Sequence, residues 1–160
     1  KNGYALPSGE GIAQISSMLQ LSSESELDEL RKLLRIGLHW DTQVTLKNCQ
    51  HSVTQAYCSA LPVAYSPHSP SAWEPFARLV LEAAYEATLC AGILNAKTNG
   101  NQSVYLTLLG GGAFGNMTEW ITDAIRRALE RYRNTDLNVA IVSYGTSRDF
   151  VSNLANEYSA

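Results

Sequence analysis

The segment VYLTLLGGGAFGN, Val104–Asn116, constrains the fold more than any other stretch of the chain. An apolar run, Val104–Leu109, passes without a spacer into Gly110, Gly111 and Gly112, followed by Ala113, Phe114, Gly115 and Asn116. Glycine loses the most conformational freedom on ordering, so glycines crowded at a strand end mark a backbone with unusual angles or a close approach by another group. From about Thr118 to Arg133 the apolar residues Ile121, Ala124, Ile125, Ala128, Leu129 and Tyr132 recur at helical spacing. LNVAIVSYG then reads as a near-continuous apolar strand, the pattern of a strand covered on both faces. Strand, glycine turn, helix and strand in succession predict an α/β fold with a mixed, largely parallel central sheet.

The preceding part of the chain fits that class. GEGIAQISSMLQL and SESELDELRKLLRIGL carry helical periodicity, with Ser23 or Ser25 as a cap for the second helix and Gly37 as its stop. TQVTL (Thr42–Leu46) and SVTQAYCSAL (Ser52–Leu61) are strand candidates. After a proline-containing loop, SAWEPFARLVLEAAYEATLCAGIL predicts a helix with Phe76, Val80, Ala83, Ala84, Ala87 and Ala91 on a small apolar face. A short final helix contains Val151 and Leu154. At 160 residues the chain has the length of one domain, residues 1–160, with 1–37 as a helical lead-in and 38–160 as the core. Its start at Lys1 reads as a domain excised from a longer chain.

Composition narrows the partners. With 45% hydrophobic and 17% charged residues and a formal net charge of -3, the chain reads as globular and lacks the basic surface of a nucleic-acid binder. No apolar run reads as a membrane span and the N-terminus has no signal-peptide pattern, so no membrane partner is expected. Cys49, Cys58 and Cys90 are odd in number and have no metal-ligand spacing, which points to reduced thiols and a cytoplasmic location. His39, His51 and His68 do not cluster, so no metal is expected. Ser59 lacks the glycine elbow of a serine hydrolase.

Glycines between a strand end and a helix N-terminus suit an anion. Ligands of open α/β sheets bind beyond the carboxyl ends of strands, and backbone amides with a helix dipole favour phosphate. No P-loop lysine follows Gly115, which argues against a nucleoside triphosphatase. A tight connection with no ligand is the alternative for such a turn.

The stretch LTLLGGGAFGN, the helix with AIRRAL and the strand LNVAIVSYG resemble the last third of the poly(ADP-ribose) glycohydrolase-type macrodomains. The fuller set, QAYCSALPVAYS, WEPFARLVLEAAYEATL, LTLLGGGAFGN and VSYG, is similar to the arginine-specific (MavL-like) macrodomain hydrolases, over roughly residues 38–145. The resemblance implies a three-layer α/β/α macrodomain, monomeric and without a cofactor, that binds ADP-ribose and removes it from a modified protein, at arginine. Gly110–Gly115 would cradle the diphosphate, with Ala113 and Asn116 in the same turn. Phe114 would pack on the distal ribose, Tyr144 would lie near the adenine or its ribose, and Ser59–Tyr65 would form the facing wall. The QEE helix signature of chain-cleaving glycohydrolases is absent. A reader module that binds ADP-ribose without cleaving it is the alternative.

Cleavage at an anomeric carbon calls for a carboxylate that activates water or steadies positive charge. Asp41, between Trp40 and the strand candidate, is open to several roles: catalytic carboxylate, contact to the substrate guanidinium, acceptor for the adenine amino group, or turn and cap residue. Glu82 and Glu86 share a helix face, with Arg78 one turn before. A salt-bridged stripe, Arg78 to Glu82, is the reading for the first, and Glu86 is the second catalytic candidate. Trp40, Trp73 and Trp120 are expected as packing or rim residues.

Overall fold

Serines set the entry of each of the first helices. In α1 (Gly9–Leu21) the Ser8 hydroxyl accepts from the Gly11 N–H at 3.1 Å. In α2 (Glu24–Arg31) Ser23 and Glu26 form a reciprocal capping box. The computed structural model describes residues 3–158 of the chain. After α2 come β1 (Gly37–Gln43), β2 (Ser52–Tyr57), a single 3-10 turn (Val63–Tyr65), α3 (Pro70–Asn99), β3 (Ser103–Leu106), α4 (Thr118–Arg131), β4 (Asn138–Ile141) and α5 (Asp149–Tyr158).

The first helices are part of the same core as the rest, since Ile12 packs with Trp73, Leu81 and Trp120. The Ser16 hydroxyl ties α1 to α3 by donating to the Ala72 carbonyl at 2.6 Å. Gly37 does not stop α2. The helix tightens after Arg31, where Leu33 and Leu34 bond carbonyls only three residues back, and Gly37 opens β1 instead.

Helix α3 is the centre of the molecule. Ser69 caps it with Pro70 at its first position, and Gly100, at φ 78, ends it with its N–H on the Ala96 carbonyl. The expected small apolar face is only part of what it buries. Trp73, Ala77, Leu81, Tyr85 and Leu89 are inside as well, because α1, α2 and α4 pack on α3 while β2 and β3 pack on its other side. At 30 residues it is also long and apolar enough to cross a membrane, so the sequence reading that found no such run is amended. Here its buried residues belong to the domain core.

The strands differ from the expected single sheet. Gly37–Gln43 lies N-terminal to the candidate Thr42–Leu46 and shares only Thr42 and Gln43 with it, while Ser52–Tyr57 is the first part of Ser52–Leu61. The two strands pair antiparallel, Gly37 opposite Tyr57 and Thr42 opposite Val53, with a bulge between His39 and Thr42. β3 and β4 pair parallel, Ser103 opposite Asn138 through Leu106 opposite Ile141. No ladder joins the pairs, so the described residues form a mixed α/β fold with two two-stranded sheets. β4 is not covered on both faces. Val139 and Ile141 pack on the core while Val142 and, on β3, Tyr105 are exposed, because the helices share one side of the strands. The final helix buries Val151 and Leu154 as expected.

Candidate functional site at the glycine turn

Two of the glycines hold the turn in place, Gly111 lies close to Ile121, and Gly112 faces open space. Gly110 and Gly115 have φ of 75° and 68°, angles that favour a residue without a Cβ. A Cβ on Gly110 would lie 2.4 Å from the Ala60 Cβ and 2.6 Å from Asn116 Nδ2, and one on Gly115 would lie 2.8 Å from the Ala64 Cβ. The turn is therefore pressed onto the segment after β2. The Ala64 N–H donates to the Phe114 carbonyl at 2.9 Å, and Asn116 Nδ2 donates to the Leu61 carbonyl at 2.8 Å. By contrast a Cβ on Gly112 would meet nothing within 4 Å, and one on Gly111 would approach the Ile121 Cδ1 at 3.1 Å.

Tyr85 anchors the other end of the turn. Its hydroxyl, buried under β3, donates to the Thr107 carbonyl at 2.8 Å and accepts from the Leu109 N–H at 2.9 Å. Burial pushes this phenol far above its ordinary range, so it stays protonated and keeps its donor. Asn116 is buried too, and its Oδ1 has no hydrogen-bond partner among the described residues.

A cavity of about 240 Å³ opens on the exposed side of the turn, lined by Gly111, Gly112, Thr118, Ser143, Tyr144 and Arg148 among others. Thr118 is the first residue of α4, whose cap residue Met117 supplies no side-chain acceptor. The N–H groups of that first turn, with the positive end of the helix dipole, face this region without a side-chain cap. Arg148 brings a cation to the same wall, and among the described residues no carboxylate pairs with it. Tyr144 is fully exposed beside it. Amides, helix dipole, guanidinium and aromatic ring together match an anion carrying a ring system.

The other candidates lie elsewhere. Phe114 turns away from this cavity and stacks edge-on with Tyr4 and Tyr65, at ring-centroid distances of 6.0 and 5.4 Å. Ala113 is exposed on the turn, and neither it nor Asn116 lines the cavity. The Ser59 hydroxyl donates to the Ala60 carbonyl at 3.0 Å, and the wall the turn touches is Ala60, Leu61 and Ala64. Asp41 sits at the bulge of β1 with φ 51 and lines a different groove with His51 and Ser52, one that runs from Ser103 along β3 to Leu109.

Glu86 does not line the cavity at the glycine turn. It is buried against α4, where its carboxylate takes Arg127 at 2.9 Å and Arg131 at 3.4 Å. The stripe around it is ion-paired as the sequence reading allowed, but with other partners. Glu82 pairs with Arg31 of α2 at 2.7 Å, and Arg78 pairs with Glu74 and Asp123. Burial holds the Glu82 carboxyl above its ordinary value despite the Arg31 charge. Long-range packing of α2 and α4 on α3 selected these pairs, and spacing along α3 could not reveal it. Trp73 and Trp120 are buried packing residues, with Trp73 Nε1 donating to Ser66 Oγ at 2.7 Å, whereas Trp40 is exposed.

Arg148 and Tyr85 were missed in the sequence. Arg148 had a usable signal, as the first charge after the uncharged run Leu137–Ser147 that ends β4 and its loop. Tyr85 had none, because it reads as one more apolar residue of α3. Compared with family models, curated proteins and solved structures, the chain matches none.

Proposed function

We propose that the chain is a macrodomain-type module that binds ADP-ribose, free or attached to a protein, with the diphosphate at Gly111, Gly112 and the α4 N-terminus. The observation that carries this reading is one cavity combining open glycine backbone, an uncapped helix start, Arg148 without a carboxylate partner among the described residues, and the exposed ring of Tyr144. Such a set neutralises a diphosphate and offers a surface for a base or ribose, and the resemblance supplies ADP-ribose as the ligand that joins them. The same reading implies a three-layer α/β/α macrodomain, with the two sheets as its middle layer, and a cytoplasmic monomer. Titration calorimetry with ADP-ribose, ADP and AMP tests it: ADP-ribose and ADP should bind and AMP should bind more weakly. Equal affinity for all three, or none, would refute the diphosphate assignment.

Removal of ADP-ribose from arginine is the second reading. What favours it is Asp41, a non-glycine residue held at φ 51 in a bulge, a backbone state that tends to persist at functional positions. Against it, among the described residues no carboxylate lines the cavity at the glycine turn. Single-turnover release of ADP-ribose from a modified arginine peptide decides the matter. Hydrolysis by the unaltered protein that is lost in Asp41→Asn, with ADP-ribose affinity intact, supports the enzyme. No release by the unaltered protein leaves the reader.

A further inference from the structure

A second, larger cavity lies between the two sheets, about 520 Å³, and its walls are strand edges rather than loops. β2 is paired on one side only, with β1, and β3 on one side only, with β4. The free edge of each lines this groove, through Ser52, Thr54 and Ala56 on one side and Ser103 and Tyr105 on the other. Hydrogen-bond alternation agrees with that placement. The Asn138 and Val142 N–H groups donate to Gln102 and Leu106, so the even-numbered residues of β3 face β4 and Tyr105 faces the groove. On β2 the His51 carbonyl accepts from Val44, so Thr54 and Ala56 turn their main-chain groups away from β1 and into the groove. Two unpaired edges facing each other across one groove are unusual, because a single exposed edge already invites pairing with another chain.

Helix α3 forms the floor with Thr88, Gly92 and Asn95, and Thr54 Oγ1 donates to Asn95 Oδ1 there. The floor is mixed: Ala91 and Tyr85 contribute apolar surface beside the polar Thr88 and Asn95. On the outer face Val53, Tyr57 and Tyr105 are exposed and flank the gap.

We infer that this groove takes an extended peptide segment of a partner protein, which enters as a strand between β2 and β3 and completes one continuous sheet. The occupant alternates. Residues facing α3 are small, to fit beside Thr88, Ala91 and Asn95, and residues facing out are β-branched or aromatic, to pair across strands with Val53, Tyr57 and Tyr105. The backbone supplies the affinity by bonding the free groups of Thr54, Ala56 and Tyr105, and the inward positions supply the selectivity. This inference does not depend on the ADP-ribose reading, since it uses no residue of the glycine-turn cavity.

The test uses an acetylated, amidated peptide of alternating threonine and valine with a lysine at each end, added to the 160-residue protein. Amide hydrogen exchange of the free protein should show Thr54, Ala56 and Tyr105 exchanging rapidly, and the peptide should protect all three. A version N-methylated at alternate residues, which keeps its side chains but loses ladder donors, should bind at least about tenfold more weakly. Ala56→Pro and Tyr105→Pro, which remove a groove-facing N–H and leave the β1 and β4 ladders intact, should weaken the peptide similarly while melting near the unaltered protein. Protection of those amides in the free protein at every concentration would mean that β2 and β3 pair directly, and would overturn the inference. Protection that grows with protein concentration would assign the groove to a second copy and overturn it as well. So would equal binding of the N-methylated peptide, or no binding of the parent peptide at about millimolar concentration.

Discussion

The glycines of the turn divide into two kinds, and a pair of substitutions separates them. Gly110→Ala puts a Cβ where φ is 75° and where the Ala60 Cβ would be 2.4 Å away. The left-handed angle costs about 1–2 kcal/mol for a residue with a Cβ. Crowding against a backbone-anchored alanine and a buried asparagine adds about 1–3 kcal/mol, since neither neighbour is the far end of a flexible side chain. The combined loss should be about 2–5 kcal/mol, which lowers the melting temperature of a domain this size by roughly 4–20 °C. Gly112→Val meets nothing within 4 Å and has no positive φ, so it should change stability by no more than about 0.5 kcal/mol. Its cost should appear in binding, where the branched side chain covers amides that would meet phosphate. Hydrogen bonds to a charged group are worth about 1.5–3 kcal/mol, or roughly 10–150-fold in affinity for ADP-ribose. Urea unfolding and titration calorimetry on both variants give the four numbers. A Gly110→Ala protein within about 1 kcal/mol of the unaltered one refutes the packing argument. A Gly112→Val protein that stays folded and keeps full affinity refutes the cradle.

Further outcomes follow from the same geometry. Arg148→Ala should weaken ADP-ribose and ADP by about tenfold and flatten the salt dependence of binding, with little change in unfolding; affinity and salt slope unchanged in calorimetry would remove Arg148 from the site. Tyr85→Phe deletes the buried hydroxyl that holds Thr107 and Leu109. It should destabilise by about 1–2 kcal/mol in urea and loosen the turn, read as faster amide exchange at Leu109. Ser23→Ala should lower the melting temperature at neutral pH by breaking the α2 capping box. The Ser23 hydroxyl and backbone N–H hold the Glu26 carboxyl below 4.5, so that contribution is present above 4.5 and is lost as pH falls through the lower folded value. The gap between variant and unaltered protein should therefore narrow in acid, and a gap constant with pH would show that Glu26 takes no part.

Local chemistry was legible in the sequence because it is decided within a few residues. Ser23 ahead of Glu26, the glycines after Leu109 and the periodicity of Thr118–Arg131 each specify their own cap, turn or helix, and the structure has them in place. The end of β3 as the position of the turn followed from the same reasoning. What depended on distant packing was not legible. Glu86 looked available on its helix face until Arg127 and Arg131 of α4 closed over it. Phe114 sat beside the open glycines in sequence, yet pairs of rings with Tyr4 and Tyr65 hold it on the other side of the turn. LNVAIVSYG read as a strand covered twice because an apolar run records hydrophobicity and not which side the helices take. Whether β2 and β3 are neighbours with a ladder or edges with a groove between them depends on how each sits on α3, through contacts such as Thr54 with Asn95 and Tyr85 with Thr107. Those contacts join residues 22 and 41 positions apart, and no period or motif along the chain encodes such a distance.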